Sequence, residues 1–443
     1  MEEWQAESPA SLTGQEAGQA QPAAESMEDA LHPDIGFPVG RPAGEAGAPA
    51  GKMARLLRIA IVTPGSFEVR SARKSSVEQV VGHLTRILQQ AADFRIIGRK
   101  RAGFAARERR DGVDYVRLSC RHRSYARVVA ESLRRWKPDV IQVENRPRLA
   151  RALKRSFPGV PVVLSLHSVM FMSPPHIRKQ SLRNCLGQVD HIMTNSRFLQ
   201  QKVAEQSPVL WNQSKVHVNH LGVDTTVFRP VWEEEQLRLR EQLRSAFEFT
   251  DKRVILYVGR LLPMKGVHHI LEAMPRIAAE VPEAVLVIVG SAYYGSRRMT
   301  RYVRRLRLLA QKTPGKVHFI PFVPHEQIPE WFCLADVLAV PSFGKEAFGL
   351  VNVEAMATGL PVVATRSGGM TEIIEDRITG RLIDPIEPQR ELGPALVELL
   401  RNASLCRTYG EAGRSRVEQR FTWEAYGRRW LDFYQIITAG GQA

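Results

Sequence analysis

Two stretches place charged side chains where a strand-like run gives way to a glycine and then to a helical pattern. The first is Tyr257-Val258-Gly259-Arg260-Leu261-Leu262-Pro263-Met264-Lys265-Gly266. In a parallel sheet a turn of this kind lies at the carboxyl edge of the strands, where ligands bind. Arg260 and Lys265 would there set a guanidinium fork beside an ammonium, two cations suited to the roughly two negative charges of a diphosphate. The second runs from Pro341 to Ala355 and holds Glu346 and Glu354, eight positions apart, with Phe348-Gly349 between them. Gly349 lets backbone approach a ligand closely, and the free N–H groups near Leu350 and Val351 form an anion site at a helix N-terminus. Each carboxylate can accept two hydroxyl hydrogen bonds, which suits a sugar ring or a ribose. Singly, each of these charges also reads as an ordinary loop or helix-surface residue. The agreement of strand end, glycine, helix start and paired acids favours a site.

The elements that must position these groups alternate in type. Strands are expected at 57–62, 140–143, 160–166, 191–194 and 215–219, with amphipathic helices at 77–90 and 125–136 between them. A second series follows, with strands at 254–258, 284–289, 317–320, 337–340 and 362–364. Its helices are expected at 266–277, 300–311, 350–357, 388–401 and 405–421. Alternation of this kind predicts βαβ units and parallel sheets. The expected fold class is α/β, with two Rossmann-like doubly wound domains in tandem and the binding site in the cleft between them. The expected organisation is a disordered tail at 1–53, an N-terminal Rossmann-like domain at 54–228, a charged linker helix at 229–250 and a C-terminal Rossmann-like domain at 251–421. The aromatic segment 422–443 is expected to form a last helix outside the second domain that crosses back to the first.

Bulk properties narrow the function classes. With 443 residues, 44% hydrophobic and 24% charged, the chain exceeds the usual size of one core, and no apolar run reaches the roughly 20 residues that cross a bilayer. Residues 1–50 carry a net charge of −8, which leaves +24 on the rest of a chain of net +16. A body so basic suits anionic partners. The Arg-rich helices at 125–137 and 297–312 read most plainly as solvated faces, with peripheral contact at the inner face of a membrane as the alternative. They lack the aromatic interleaving of single-strand nucleic-acid binders, so no nucleic-acid partner is expected. The four cysteines are scattered without a CxxC pair, and the first residues have neither the basic flank nor the apolar run of a secretory leader. A cytoplasmic protein without a zinc site or a disulfide framework is expected.

Both chemical stretches resemble the signature of the retaining glycosyltransferases of family 4, whose two-Rossmann architecture is called GT-B. The EX7E pattern of that family reads here from Glu346 to Glu354, within PSxxxEAFGLVNVEAMATGLPVVAT and before Ser367-Gly368-Gly369-Met370-Thr371-Glu372. His220-Leu221-Gly222-Val223-Asp224 also matches. The resemblance covers about residues 56 to 435. It implies that Arg260 and Lys265 bind the donor diphosphate, that Phe348, Gly349 and Leu350 complete that site, that Glu346 faces the donor sugar and that Glu354 holds the nucleotide ribose. It further implies that the last helix crosses back, and that the reaction is retaining with no metal or other cofactor beyond the nucleotide-sugar substrate. His167 occupies the family's active-site histidine position, although Ser168 replaces the common Asp. Ser75 and Ser76 stand where a Gly-Gly pair is usual, followed by Glu78, and Pro321 stands where relatives often have Gly. Glu144 and Asn145 resemble an acceptor-side loop. The implied partners are a nucleotide-sugar donor and an acceptor that is a lipid-linked sugar, a polysaccharide, a protein or a small molecule. The alternatives are a sugar phosphorylase or sugar-nucleotide epimerase on the same fold, and a non-catalytic coat or surface protein.

Overall fold

The computed structural model describes residues 55–65, 76–207, 215–292, 299–313, 315–321, 323–344 and 346–439. Ser75 and the tail lie outside them.

The first half builds an eight-stranded sheet. Its strands are β1 (Leu57–Val62), β2 (Ala92–Arg99), β3 (Arg107–Arg110), β4 (Val113–Leu118), β5 (Val140–Glu144), β6 (Val162–Leu166), β7 (His191–Thr194) and β8 (Val216–Val218), in the spatial order 3-4-2-1-5-6-7-8. Every pairing is parallel except β3 with β4. The second half builds a six-stranded, wholly parallel sheet from β9 (Arg253–Val258), β10 (Ala284–Val289), β11 (Val317–Ile320), β12 (Val337–Val340), β13 (Val362–Thr365) and β14 (Gly380–Ile383), in the order 11-10-9-12-13-14. Helices cover both faces of each sheet, which is why a strand such as Ala-Val-Leu-Val-Ile-Val is apolar at every position and buried at every position. The expected pair of doubly wound Rossmann-like domains is what the chain forms.

The segment expected to be a linker contains the helix Glu234–Ala246, none of whose residues is buried. It lies against the helix Ile328–Leu334 of the second half. Two of its arginines hold Asp336 there: Arg240 Nη2 at 2.5 Å and Arg244 Nη2 at 3.2 Å.

The final helix, Trp423–Ala439, returns to the first half. Val223 N–H donates to Phe421 O at 2.9 Å, and Thr422 bridges to Val223. Beyond that point the helix packs on Ser76–Leu88. There the Trp423 ring stacks on His83 with centroids 4.5 Å apart. Trp430 and Tyr434 are wholly buried. One continuous core joins these aromatics to Ile59 and Leu84 of the first half and to Leu256 and Leu338 of the second. Among the described residues no helix is long and apolar enough to cross a membrane.

Candidate functional site

The carboxyl ends of β9 and β12 point toward the same space. After β9, Gly259 starts the loop that carries Arg260, and Pro263–Lys265 makes a short 3-10 turn ending at Gly266, which has φ of +71°. A Cβ at Gly266 would lie 1.9 Å from Pro341 O, so only glycine lets this loop pass the one that follows β12. Tyr257 pins the turn, because its hydroxyl donates to Arg260 O at 2.9 Å. Burial pushes the Tyr257 phenol well above its usual range, with Tyr302 and Glu346 adding to the shift and Arg260 opposing it, so the hydroxyl remains a neutral donor. After β12, Gly349 at φ +94° and ψ +58° starts the helix Leu350–Ala357. The first N–H groups of that helix have no partner within it.

These loops form one wall of a cleft of about 880 Å³. Arg260, Lys265, Glu346, Phe348, Gly349, Leu350 and Glu354 all line it. Lys265 Nζ pairs with Glu346 Oε2, both side chains being about a fifth exposed. Glu354, largely buried, accepts from His325 Nε2 at 2.8 Å. The opposite wall comes from the first half and includes His167, Ser168, Asn195 and Leu221.

Not every residue singled out in the sequence reaches this space. Glu144 and Asn145 were expected in an acceptor-side loop, but they are 0% and 1% exposed and lie behind His167. Glu144 Oε2 is 2.7 Å from His167 Nε2. Asn145, held at φ +52°, accepts the His167 backbone N–H at 2.8 Å. Both therefore hold the wall in place and do not form its surface. Glu78 is 1% exposed and is not among the lining residues, although Gln79 and Val80 are. Ser76 opens the helix Ser76–Leu88.

Three contributors had no sequence signal of their own. His325 reaches Glu354 across 29 positions of chain. Tyr257 reads only as a strand residue. Glu372 lies within the quoted motif without an assigned task, yet its carboxylate accepts from Arg197 N and Phe198 N, each at 2.8 Å, and from His220 Nε2 at 2.7 Å.

Chemically, the cleft offers two cations, a helix N-terminus and two carboxylates on one side, and an imidazole on the other. That set suits a molecule with an anionic centre between two polyol ends. Residues 77–227 match the family described as Glycosyltransferase Family 4, and residues 240–416 match Glycosyl transferases group 1. YtcC of Bacillus subtilis (strain 168), described by name as a glycosyltransferase, is 32% identical over 381 residues, covering 86% of this chain and 92% of that one. Spore coat protein SA of the same organism is 29% identical over 379 residues, covering 86% of this chain and 99% of that one. The crystal structure of Anabaena HepE in complex with UDP superposes with a TM-score of 0.70 at 19% identity, covering 86% of this chain and all of that one, a likeness of fold. The chain belongs to the GT-B glycosyltransferases.

Proposed function

We propose that this glycosyltransferase moves a glycosyl group from a nucleotide sugar to an acceptor hydroxyl with retention of anomeric configuration, in cell-envelope, polysaccharide or coat glycoconjugate synthesis. One observation carries the reading: Arg260, Lys265, Glu346 and Glu354 share a single cleft with the helix N-terminus at Gly349, and His167 faces them. Negative charge accumulates on the departing diphosphate in the transition state. Arg260, Lys265 and the first N–H groups of the helix Leu350–Ala357 would stabilise it there. Glu354, oriented by His325, would accept the ribose hydroxyls, and Glu346 would bind the donor sugar. The Lys265–Glu346 ion pair neutralises both groups, and a diphosphate would compete for the ammonium. The acceptor would enter beside His167, and closure of the two halves would exclude water and align its hydroxyl. A same-face route needs no protein nucleophile and no metal.

A thermal-shift panel of uridine, guanosine and adenosine diphosphate sugars tests the reading. A donor at 100 times its Kd should stabilise the fold by about 2.7 kcal/mol. Lys265→Ala and Glu346→Ala should fold normally and lose about 10²-fold or more in transfer rate, as expected when a transition-state charge contact is removed. Turnover of a sugar 1-phosphate without any nucleotide sugar, or wild-type transfer rates in both variants, would overturn the proposal.

A further inference from the structure

Behind His167 lies a chain of buried polar groups that ends on the crossover helix. The Tyr434 hydroxyl, on Trp423–Ala439, donates to Gln142 Oε1. Gln142 Nε2 donates to Glu144 Oε1 at 2.5 Å. Glu144 Oε2 is 2.7 Å from His167 Nε2, and Ser165 Oγ lies 3.1 Å from the same nitrogen. Gln142, Glu144 and Tyr434 are each no more than 1% exposed, so water does not compete for these bonds. The His167 Nδ1 atom is buried and has no hydrogen-bond partner among the described residues.

The direction of each bond is fixed by chemistry. Burial pushes the Tyr434 phenol well above its usual range, so the hydroxyl keeps its proton. The Glu144 carboxylate can only accept, so the Gln142 amide turns its nitrogen toward it and leaves its oxygen to the Tyr434 hydroxyl, which donates. The second carboxylate oxygen likewise requires an N–H on the facing nitrogen of His167, which places the ring proton on Nε2 and the lone pair on Nδ1.

We propose that Tyr434, Gln142 and Glu144 form a hydrogen-bond relay in which the Glu144 carboxylate sets the tautomer of His167 and the docked crossover helix, through Tyr434 and Gln142, holds that carboxylate in place. All three are positioning residues. The proposal rests on the reading that His167 serves the transfer reaction only for its consequence; the relay itself is a statement about proton placement. It also gives the helix a task beyond packing. A first half without Tyr434 in place would leave the buried Gln142 Oε1 atom without this donor.

The relay makes a reversal test. In Glu144→Gln, the new amide must offer its oxygen to the Gln142 nitrogen, so its own nitrogen faces His167. Nε2 must then accept, and the ring proton moves to Nδ1. Adding Tyr434→Phe removes the donor that orients Gln142. Both amides can then turn over together, and the Nε2–H tautomer returns. Long-range ¹H–¹⁵N spectra of the full chain labelled at histidine, recorded at pH 8 and assigned by the signal lost in His167→Gln, read the tautomer directly. The expected sequence is Nε2–H in the wild type, Nδ1–H in Glu144→Gln and Nε2–H in the double variant. The transfer rate should fall about tenfold or more in Glu144→Gln and recover in part in the double variant, with the donor KM nearly constant. An Nδ1–H ring in the wild type, alone or alongside Nε2–H, overturns the relay even if no variant folds. So does a Glu144→Gln ring that stays Nε2–H. A tautomer that switches as expected while turnover stays unchanged leaves the relay standing and removes His167 from the transfer mechanism.

Discussion

Gly349 stands where a loop must turn into a helix and bring bare N–H groups to the cleft. Its φ of +94° lies in the region that side chains disfavour, and an added Cβ would sit 2.6 Å from Nδ2 of the fully buried Asn352. Gly349→Ala should cost about 2 kcal/mol of stability from the backbone alone and displace the helix start. We expect a lower Tm together with about tenfold weaker nucleotide-sugar binding, the equivalent of one or two misplaced N–H contacts. An alanine variant with unchanged Tm and an unchanged ligand-induced shift would show that the amides at 350 and 351 do not hold the anion. Much of this wall was legible, because Arg260, Lys265, Glu346, Gly349 and Glu354 each follow a strand end within a short stretch of sequence. His325 was not. Its relation to Glu354 exists only after the fold brings together positions 29 residues apart.

At the scale of elements, the crossover helix is held partly by histidines that must stay neutral. The Phe433 ring lies 4.8 Å from His217 and 5.4 Å from His191, centroid to centroid. Burial, with a smaller contribution from the neighbouring His191, lowers the His217 pKa from 6.5 to about 4. The depressed value means that the folded state binds fewer protons than the unfolded state between those two pH values. The stabilisation is complete above pH 6.5 and is lost as pH falls toward 4, by roughly 3 kcal/mol for a shift of this size. Wild type should therefore lose Tm faster than His217→Gln between pH 6.5 and 4, and parallel curves would contradict the account. Elements differ in how openly the sequence displays them. Leu57–Val62, Ala284–Val289 and Val337–Val340 were readable because helices cover both their faces and the apolar run is nearly continuous. Ala92–Arg99 and Val113–Leu118 escaped because buried charges interrupt their pattern. Arg95 pairs with Asp114 across the two strands, Nη2 to Oδ2 at 2.5 Å, and these positions face one another in the ladder. A period-based reading scores such residues as exposed, whereas the fold buries them as a neutralised pair.

The proposed reaction requires the whole molecule to open for substrates and close for chemistry, and one carboxylate spans the two halves. Glu372 belongs to the second half, after β13. Its oxygens accept the backbone N–H groups of Arg197 and Phe198 at the start of the helix Arg197–Gln206 in the first half, each at 2.8 Å. Ser196, at the cap of that helix, donates from Oγ to Ala347 O, beside Phe348 in the loop after β12. A negative charge on one half thus satisfies the positive end of a helix on the other, next to the cleft. A carboxylate at a helix N-terminus contributes about 0.3–2 kcal/mol, enough to shift the balance between open and closed forms without threatening either fold. In Glu372→Gln the charge is lost and one of the two acceptor oxygens becomes a donor. The variant should keep its Tm within a few degrees, scatter X-rays with a larger radius of gyration, and bind its nucleotide sugar about three- to tenfold more weakly, because part of the binding energy must now bring the halves together. Saturating donor should restore the wild-type radius. An unchanged radius with unchanged affinity would mean that Glu372 merely caps a helix, and that the buried core shared by both halves holds the cleft closed without it.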